Sequence, residues 1–244
     1  MHNTKMSKIL GVIQARMGST RLPHKTMTKI DGKPFLEHVI KSIRLSKKLD
    51  KIVIATSNNQ KDDVIEKFAI KNKIPFFRGS EEDVLDRIYK ATKKYDVDFI
   101  VRLCADNLFL NFQVMDEMID LALKEKYDYV NDVYGHPTPN GIVSEVLSVK
   151  ALETMWKNAT EKHQREHITQ YILENQNKFK IKNFDIPEWL QRNDMKLALD
   201  TKKDLELLKI LYFKFYKNKD SYNLKEIIEF LDKNPEIKNI NMEK

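Results

Sequence analysis

The segment Gln14-Ala15-Arg16-Met17-Gly18-Ser19-Thr20-Arg21-Leu22-Pro23-His24-Lys25 sets three fixed cations, Arg16, Arg21 and Lys25, around a turn of small residues. Backbone amides and hydroxyls at Gly18, Ser19 and Thr20 can donate hydrogen bonds, and such a turn makes a nest for an anion. Guanidiniums suit bidentate contact with phosphate and the ammonium acts as a point charge, so several phosphate charges are offset together. The glycine spacing of a dinucleotide fold and the Gly-Lys-Ser/Thr ending of a P-loop are both absent. The plain alternative is a solvated basic loop. Its place directly after an apolar run favours phosphate.

Phosphates usually arrive with a divalent cation, and Mg²⁺ takes one or two carboxylates together with phosphate oxygens. Asp106, in Cys104-Ala105-Asp106-Asn107, and Asp200, closing Met195-Lys196-Leu197-Ala198-Leu199, are the candidates. Asp200 is equally placed to cap the helix that follows it. His163 and His167 stand four apart, yet Gln164 occupies the position where a zinc metalloprotease needs glutamate, so zinc is not expected. Cys104 is the only cysteine, which excludes a disulfide framework and points to a reducing, cytoplasmic setting.

These groups need a scaffold. Apolar runs at 9–13, 51–56 and 99–103, with a weaker one at 75–78, read as strands buried on both faces. Apolar residues at three- and four-residue spacing predict helices between them. The first set is Phe35, Leu36, Val39, Ile40 and Ile43 after Pro34, and the second is Val64, Ile65, Phe68 and Ala69. Val84, Leu85, Ile88 and Ala91 follow a capping-box-like Ser80 and Asp83, and 114–123 completes the series. This alternation predicts an α/β fold, doubly wound and Rossmann-like, with a mostly parallel sheet and right-handed crossovers. Ligands of such sheets lie beyond the carboxyl ends of the strands, where the loop and Asp106 fall. Less regular patterns predict strands at 143–147, 180–184 and 195–199, and helices at 150–162, 163–174, 204–215 and 224–231.

The 244 residues read as a single domain with an inserted subregion at about 132–187 and a returning strand and helices over 188–244. No apolar run approaches the roughly 20 residues of a membrane span, so no membrane partner is expected. Lys plus Arg number 43 against 36 for Asp plus Glu, a net charge of +7 that favours anionic partners.

The motifs resemble those of a known family. Val12-Ile13-Gln14-Ala15-Arg16-Met17-Gly18-Ser19-Thr20-Arg21-Leu22-Pro23, Lys25 and Ile30-Asp31-Gly32-Lys33-Pro34 are similar to the signature of the bacterial cytidylyltransferases. That group includes the CMP-ketodeoxyoctonate and CMP-acylneuraminate synthetases, and the likeness is greatest to the branch linked to spore-coat polysaccharide biosynthesis. Further matches are Arg78-Gly79-Ser80-Glu81-Glu82-Asp83-Val84-Leu85-Asp86-Arg87, Val101-Arg102-Leu103 with Asp106, and Pro139 with Gly141, Glu145 and Val146. Arg165-Glu166-His167-Ile168-Thr169 and Leu199-Asp200-Thr201 with Asp204-Leu205 complete a set that runs in order from about residue 9 to 208.

The resemblance implies a nucleotide-diphospho-sugar transferase-like fold that takes CTP and Mg²⁺, attaches CMP to a sugar-like acceptor and releases pyrophosphate. It implies that Ala15, Arg16, Gly18, Ser19, Thr20, Arg21 and Lys25 hold the triphosphate, with Gly79, Ser80, Asp83 and Arg87 toward cytosine and ribose. It places the metal on Asp106 and Asp200, and makes Arg16, Lys25, Asp106 and Asp200 the catalytic set. Arg102, Glu145, Arg165 and His167 fall at acceptor positions, although Arg102 and Glu145 equally suit a structural ion pair. The expected acceptor is an acidic sugar or a sugar or polyol phosphate, and the 132–187 subregion would bind it or form a homodimer. Relatives usually read Asp-Cys-Pro-Leu-Ile-Asp-Pro where this chain has Asp106-Asn107-Leu108-Phe109-Leu110-Asn111-Phe112, and Pro-Gly-Lys where it has Pro23-His24-Lys25.

Other readings are the same fold using GTP or UTP, and a basic nucleic-acid binder. The latter would use Tyr212-Phe213-Lys214-Phe215-Tyr216-Lys217, where aromatics interleave with lysines; the same aromatic face suits packing on the sheet or on a second subunit. No nucleic-acid motif accompanies it, so no nucleic-acid partner is expected. A thermal-shift panel of the four nucleoside triphosphates with Mg²⁺ separates these readings, because a tight ligand raises apparent stability. CTP should give the largest rise, and equal or absent shifts would count against the nucleotide assignment.

Overall fold

The opening apolar run forms β1 (Ile9–Gln14), with Ile9 and Ile13 facing one hydrophobic layer and Leu10 and Val12 the other. A computed structural model describes residues 8–131 and 137–242. Around β1 lie β2 (Lys51–Ser57), β3 (Phe76–Gly79), β4 (Phe99–Cys104), β5 (Tyr129–Asn131), β6 (Glu145–Ser148) and β7 (Ile181–Asn183). The sheet order is β3-β2-β1-β4-β6-β5-β7. The pairs among β3, β2, β1 and β4 are parallel, and β6 runs against both its neighbours. The chain winds outward from β1 to β3 and then returns to place β4 on the other side of β1. That reversal opens a crevice beyond the ends of β1 and β4.

Helices cover both faces. On one side α1 (Phe35–Ile43), α2 (Asp63–Lys71), α4 (Phe112–Glu125), α8 (Lys202–Leu211) and α9 (Leu224–Lys233) bury their apolar stripes in the larger layer. On the other, α3 (Val84–Thr92), α5 (Val149–Asn158) and the short α7 (Gln170–Glu174) build the smaller one, with the short α6 (Lys162–Glu166) tied to the start of α3 through Arg165 and Asp83. Each fully buried Leu or Ile contributes about 2 kcal/mol, and this drives the two-faced covering. The subregion around 132–187 supplies β6 and β7 to the same sheet; residues 132–136 fall outside those described. No helix among the described residues is long and apolar enough to cross a membrane.

Three expectations need correction. The run 195–199 is not a strand of the sheet: it makes single bridges, Asn140 with Lys196 and Asn107 with Ala198, because it runs past the loops at the sheet's end. The predicted helix 163–174 is broken at His167, whose φ of −104° and ψ of 93° are extended, so His163 and His167 do not share a helical face. The helix predicted over 204–215 leaves α-geometry after Leu211, and Tyr212–Tyr216 forms a π-turn that buries Tyr212, Phe215 and Tyr216 in the chain's own core. Lys214 lies over the Phe230 ring and Lys217 over the Phe213 ring. The segment therefore packs largely on the chain's own core rather than forming a base-stacking platform, and Phe213 is its exposed large apolar side chain, 48% accessible.

The 195–199 run is seated by a close approach at Gly141. Its φ is +102°, and a Cβ there would lie 2.2 Å from the Ala198 nitrogen. Gly32 also has positive φ, +77°, but open space around it. Gly141→Ala should cost about 3 kcal/mol through strain and overlap, and lower Tm by about 6–12 °C. Gly32→Ala should cost about 1 kcal/mol. Equal melting shifts in the two variants would reject the close approach as the constraint.

Candidate active site

Gln14 and Cys104 are paired at the ends of β1 and β4, so the segments leaving these strands start side by side. From β1 the chain enters the Gly18-Ser19-Thr20 turn, tightened by Ser19 N donating to the Met17 carbonyl at 2.9 Å. Thr26 Oγ1 donates to the Arg16 carbonyl at 2.8 Å and closes the loop. A cavity of about 370 Å³ opens here, lined by Arg16, Gly18, Ser19, Thr20, Arg21, Lys25, Asp106 and Asp200, with Arg102 and Cys104 at its inner end. Arg16 has no carboxylate partner among the described residues. The loop therefore presents its cation to the cavity.

At the end of the loop, one ammonium joins three distant parts of the chain. Lys25 Nζ lies 2.7 Å from Asp106 Oδ2 and 3.0 Å from Asp200 Oδ1. Burial works against its charge, but Asp106 and Asp200 outweigh that and hold its pKa above the ordinary lysine value. Asp200 is also reached by Arg21 at 3.0 Å and by Lys196 Nζ at 3.2 Å. Burial would raise the Asp200 pKa, yet Lys25 and Lys196 bring it below the usual carboxylate range. The neighbouring Asp106 is delivered by Leu199 N, which donates to the Asp106 carbonyl at 3.0 Å. The capping alternative for Asp200 does not hold: Thr201 caps α8 in a capping box with Asp204.

The donor chemistry fits a hard divalent ion. Two carboxylates converge on one cation, and no group of three His, Cys, Asp or Glu side chains able to hold a metal occurs among the described residues. Mg²⁺ characteristically completes such a pair with phosphate oxygens and water. Burial pushes the Cys104 thiol up to about 11, so it is not a thiolate ligand at neutral pH.

Sequence reasoning missed the residue that anchors the loop. Asp62 is 2% exposed; its Oδ1 accepts from Met17 N at 2.7 Å, and Oδ2 accepts from Thr56 Oγ1 at 3.1 Å and from Ser57 N at 3.0 Å. Gln14 and Thr26, also missed, line the cavity. Nothing in the local pattern separates Asp62 from its neighbour Asp63, since its partner is 45 residues away.

The nucleoside-side positions flank the cavity without lining it. Ala15 is buried, continuing the sheet by donating to the Ala55 carbonyl. Asp83, rather than Ser80, caps α3, accepting from Asp86 N at 2.9 Å, while Ser80 Oγ accepts from Asp83 N. Gly79 packs on Arg87, which is wholly buried and donates Nη1 to the Ser80 and Glu81 carbonyls. Its burial, together with the nearby Arg16, brings the guanidinium down to about 10. The turn so shaped sets Glu81 against the loop, 3.0 Å from where a Cβ on Gly18 would be.

The acceptor positions divide. Arg102, Glu145 and His167 line a second cavity of about 430 Å³, which joins the first through Arg102 and Cys104. Arg102 and Glu145 are also ion-paired, and Tyr129 donates its hydroxyl to the other Glu145 oxygen. Arg165 lies elsewhere. Its Nε and Nη2 donate to Asp83 Oδ2 at 2.9 and 2.6 Å, and Nη1 donates to the Trp156 carbonyl. His163 pairs with Glu174, whose carboxyl Gln164, Gln170 and His163 together bring down to about 2.

A family model described as cytidylyltransferase matches residues 10–228. An uncharacterized protein of Methanocaldococcus jannaschii is 44% identical over 239 residues, 96% of this chain and 94% of that protein. The spore coat polysaccharide biosynthesis protein SpsF of Bacillus subtilis is 36% identical over 236 residues, 95% of this chain and 97% of that protein. A solved cytidylyltransferase from Leptospira borgpetersenii superposes with a TM-score of 0.89 at 31% identity, covering 98% of this chain and 99% of the other. The match spans the phosphate loop, both aspartates and the second cavity alike, and the chain belongs to the cytidylyltransferase family.

Proposed function

We propose that this chain transfers CMP from CTP to a sugar-like or phosphorylated acceptor, releasing pyrophosphate, to make an activated precursor for surface polysaccharide or glycoconjugate synthesis. The observation that carries this reading is the convergence of Asp106 and Asp200 on the Lys25 ammonium, facing a loop of cations. The spore coat polysaccharide relative and the family match support the product class.

In the proposed reaction an acceptor oxygen attacks the α-phosphorus. The bond from that phosphorus to the bridging oxygen breaks, and pyrophosphate leaves with the electron pair, attacking and leaving oxygens in line. The protein contributes position and charge rather than a covalent intermediate. Arg16, Arg21 and Lys25 offset the charge that grows on the leaving group. Mg²⁺ held by Asp106 and Asp200 would supply Lewis-acid polarisation of the α-phosphate. The second cavity, beside Arg102 and Cys104, is the approach for the acceptor. A phosphate acceptor is already anionic and needs no base; a hydroxyl acceptor has His167 in that cavity, or Asp106 in the adjoining first one, to take its proton.

Pyrophosphate release from CTP and Mg²⁺ across a panel of acidic sugars and sugar or polyol phosphates tests the reading. Failure of CTP to bind at all would reject it. Asp106→Asn should keep the fold and lower turnover at least about a hundredfold; retained turnover would remove Asp106 from the metal site. Asp62→Asn puts an amide donor among hydrogen-bond donors, a conflict of about 1.5–3 kcal/mol. Calorimetry should then show CTP binding weakened by about tenfold or more, with the far-UV circular dichroism native. An unchanged Kd would detach Asp62 from loop positioning.

A further inference from the structure

A third cavity, of about 850 Å³, adjoins the first at Arg21 and Asp200. The two share Arg21 and Asp200, whereas the acceptor cavity meets the first at Arg102 and Cys104 and shares no lining residue with the third. The three spaces therefore form a chain, with the phosphate loop and its aspartates in the middle.

The charge of this outer space is one-sided. Arg21, Lys196, Lys202 and Lys203 line it, and Asp200 is its one acidic lining residue. Lys196 is committed to Asp200 and Asp204, and Arg21 to Asp200. Lys202 and Lys203, in the first turn of α8, are exposed and have no carboxylate partner among the described residues. Both lysines border this one space, so a small polyanion arriving from the first cavity would offset their unneutralised charge.

We infer that this basin receives pyrophosphate as it leaves, so that the product is drawn off beyond Arg21 and Asp200 on the face opposite the incoming acceptor. The inference rests on the cytidylyltransferase reading and extends it to product release. In an in-line displacement the leaving oxygen departs on the side opposite the attacking one. With the acceptor entering over Arg102 and Cys104, that direction is toward Arg21 and Asp200. The ligand class is inorganic pyrophosphate, whose charge density suits lysine point charges better than it suits the hydroxyl-rich surface of a sugar.

The test titrates pyrophosphate, with Mg²⁺ and saturating CMP, into the wild-type protein and into Lys202→Ala/Lys203→Ala by calorimetry. The two exposed charges together should be worth about 1 kcal/mol, so the double variant should bind pyrophosphate about fivefold more weakly. CTP affinity should move by less than about twofold, because the triphosphate is held by the loop. Lys202→Arg/Lys203→Arg should restore pyrophosphate binding, which separates lost charge from lost fold. Equal pyrophosphate affinity in wild type and the alanine variant would overturn the inference, as would CTP affinity falling in the same proportion. A raised acceptor KM with unchanged pyrophosphate binding would also overturn it, giving the basin to the acceptor. Absence of CTP binding in the wild type would sink the underlying reading instead.

Discussion

The Lys25 ammonium and the two carboxylates it joins are the constraint on which the rest of the structure depends. Two partly buried carboxylates facing one point repel each other. Lys25 between them, with Arg21 and Lys196 on Asp200, offsets that repulsion and holds the Asp200 carboxyl below its ordinary range. The three members come from a loop after β1, a loop after β4 and a segment nearly a hundred residues further on. The doubly wound sheet brings the first two together at its reversal point. The third is carried by the extended 195–199 segment, pinned through Leu197 N to the Asn140 carbonyl at 2.6 Å and through Leu199 N to that of Asp106. Gly141 is required because any side chain there would push this segment, and Asp200 with it, away.

That dependence explains what was legible in the sequence and what was not. The first half of the fold follows from local periodicity: β1, β2 and β4 are continuous apolar runs, and α1 to α4 show helical spacing. The run 195–199 has the same apolar composition as a strand, and composition does not say whether a buried segment lies within a sheet or across its end. The break at His167 was hidden because the flanking residues keep helical patterning on both sides. Asp62 is a long-range partner of Met17, and no spacing rule reaches that far. The loop, Asp106 and Asp200 could be read because residue type and position agreed.

The departures from the family pattern have structural reasons. Asn111, where relatives carry aspartate, caps α4 by accepting from Val114 N at 3.2 Å, a role either residue performs. Phe112 replaces a proline at the first position of that helix, where proline is favoured but not required. His24 replaces a glycine and adopts φ of +62°, a conformation that costs a non-glycine residue about 1 kcal/mol. The cost is borne at the residue that sets Lys25 under Asp106 and Asp200. Asn111 gives up a carboxylate at the α4 cap, while Lys25 and Asp106 keep the charges that face the cavity.

Arg165 and Asp83 show how motif positions can also brace the fold. Their ion pair ties α6 to the start of α3, and Asp86 accepts from Trp156 Nε1 at 2.9 Å while the Trp156 ring stacks on Tyr89 at 4.4 Å. These contacts bind the helices beside the second cavity to the helix whose leading turn shapes the loop's far wall. Arg87 holds that same turn from below through the Ser80 and Glu81 carbonyls. Residues that read from sequence as contacts to nucleoside or acceptor thus form the brace between the two sides. In-line transfer demands a fixed angle between attacking oxygen, phosphorus and leaving oxygen, so a rigid brace between the two cavities is as necessary to the reaction as the charges that line them.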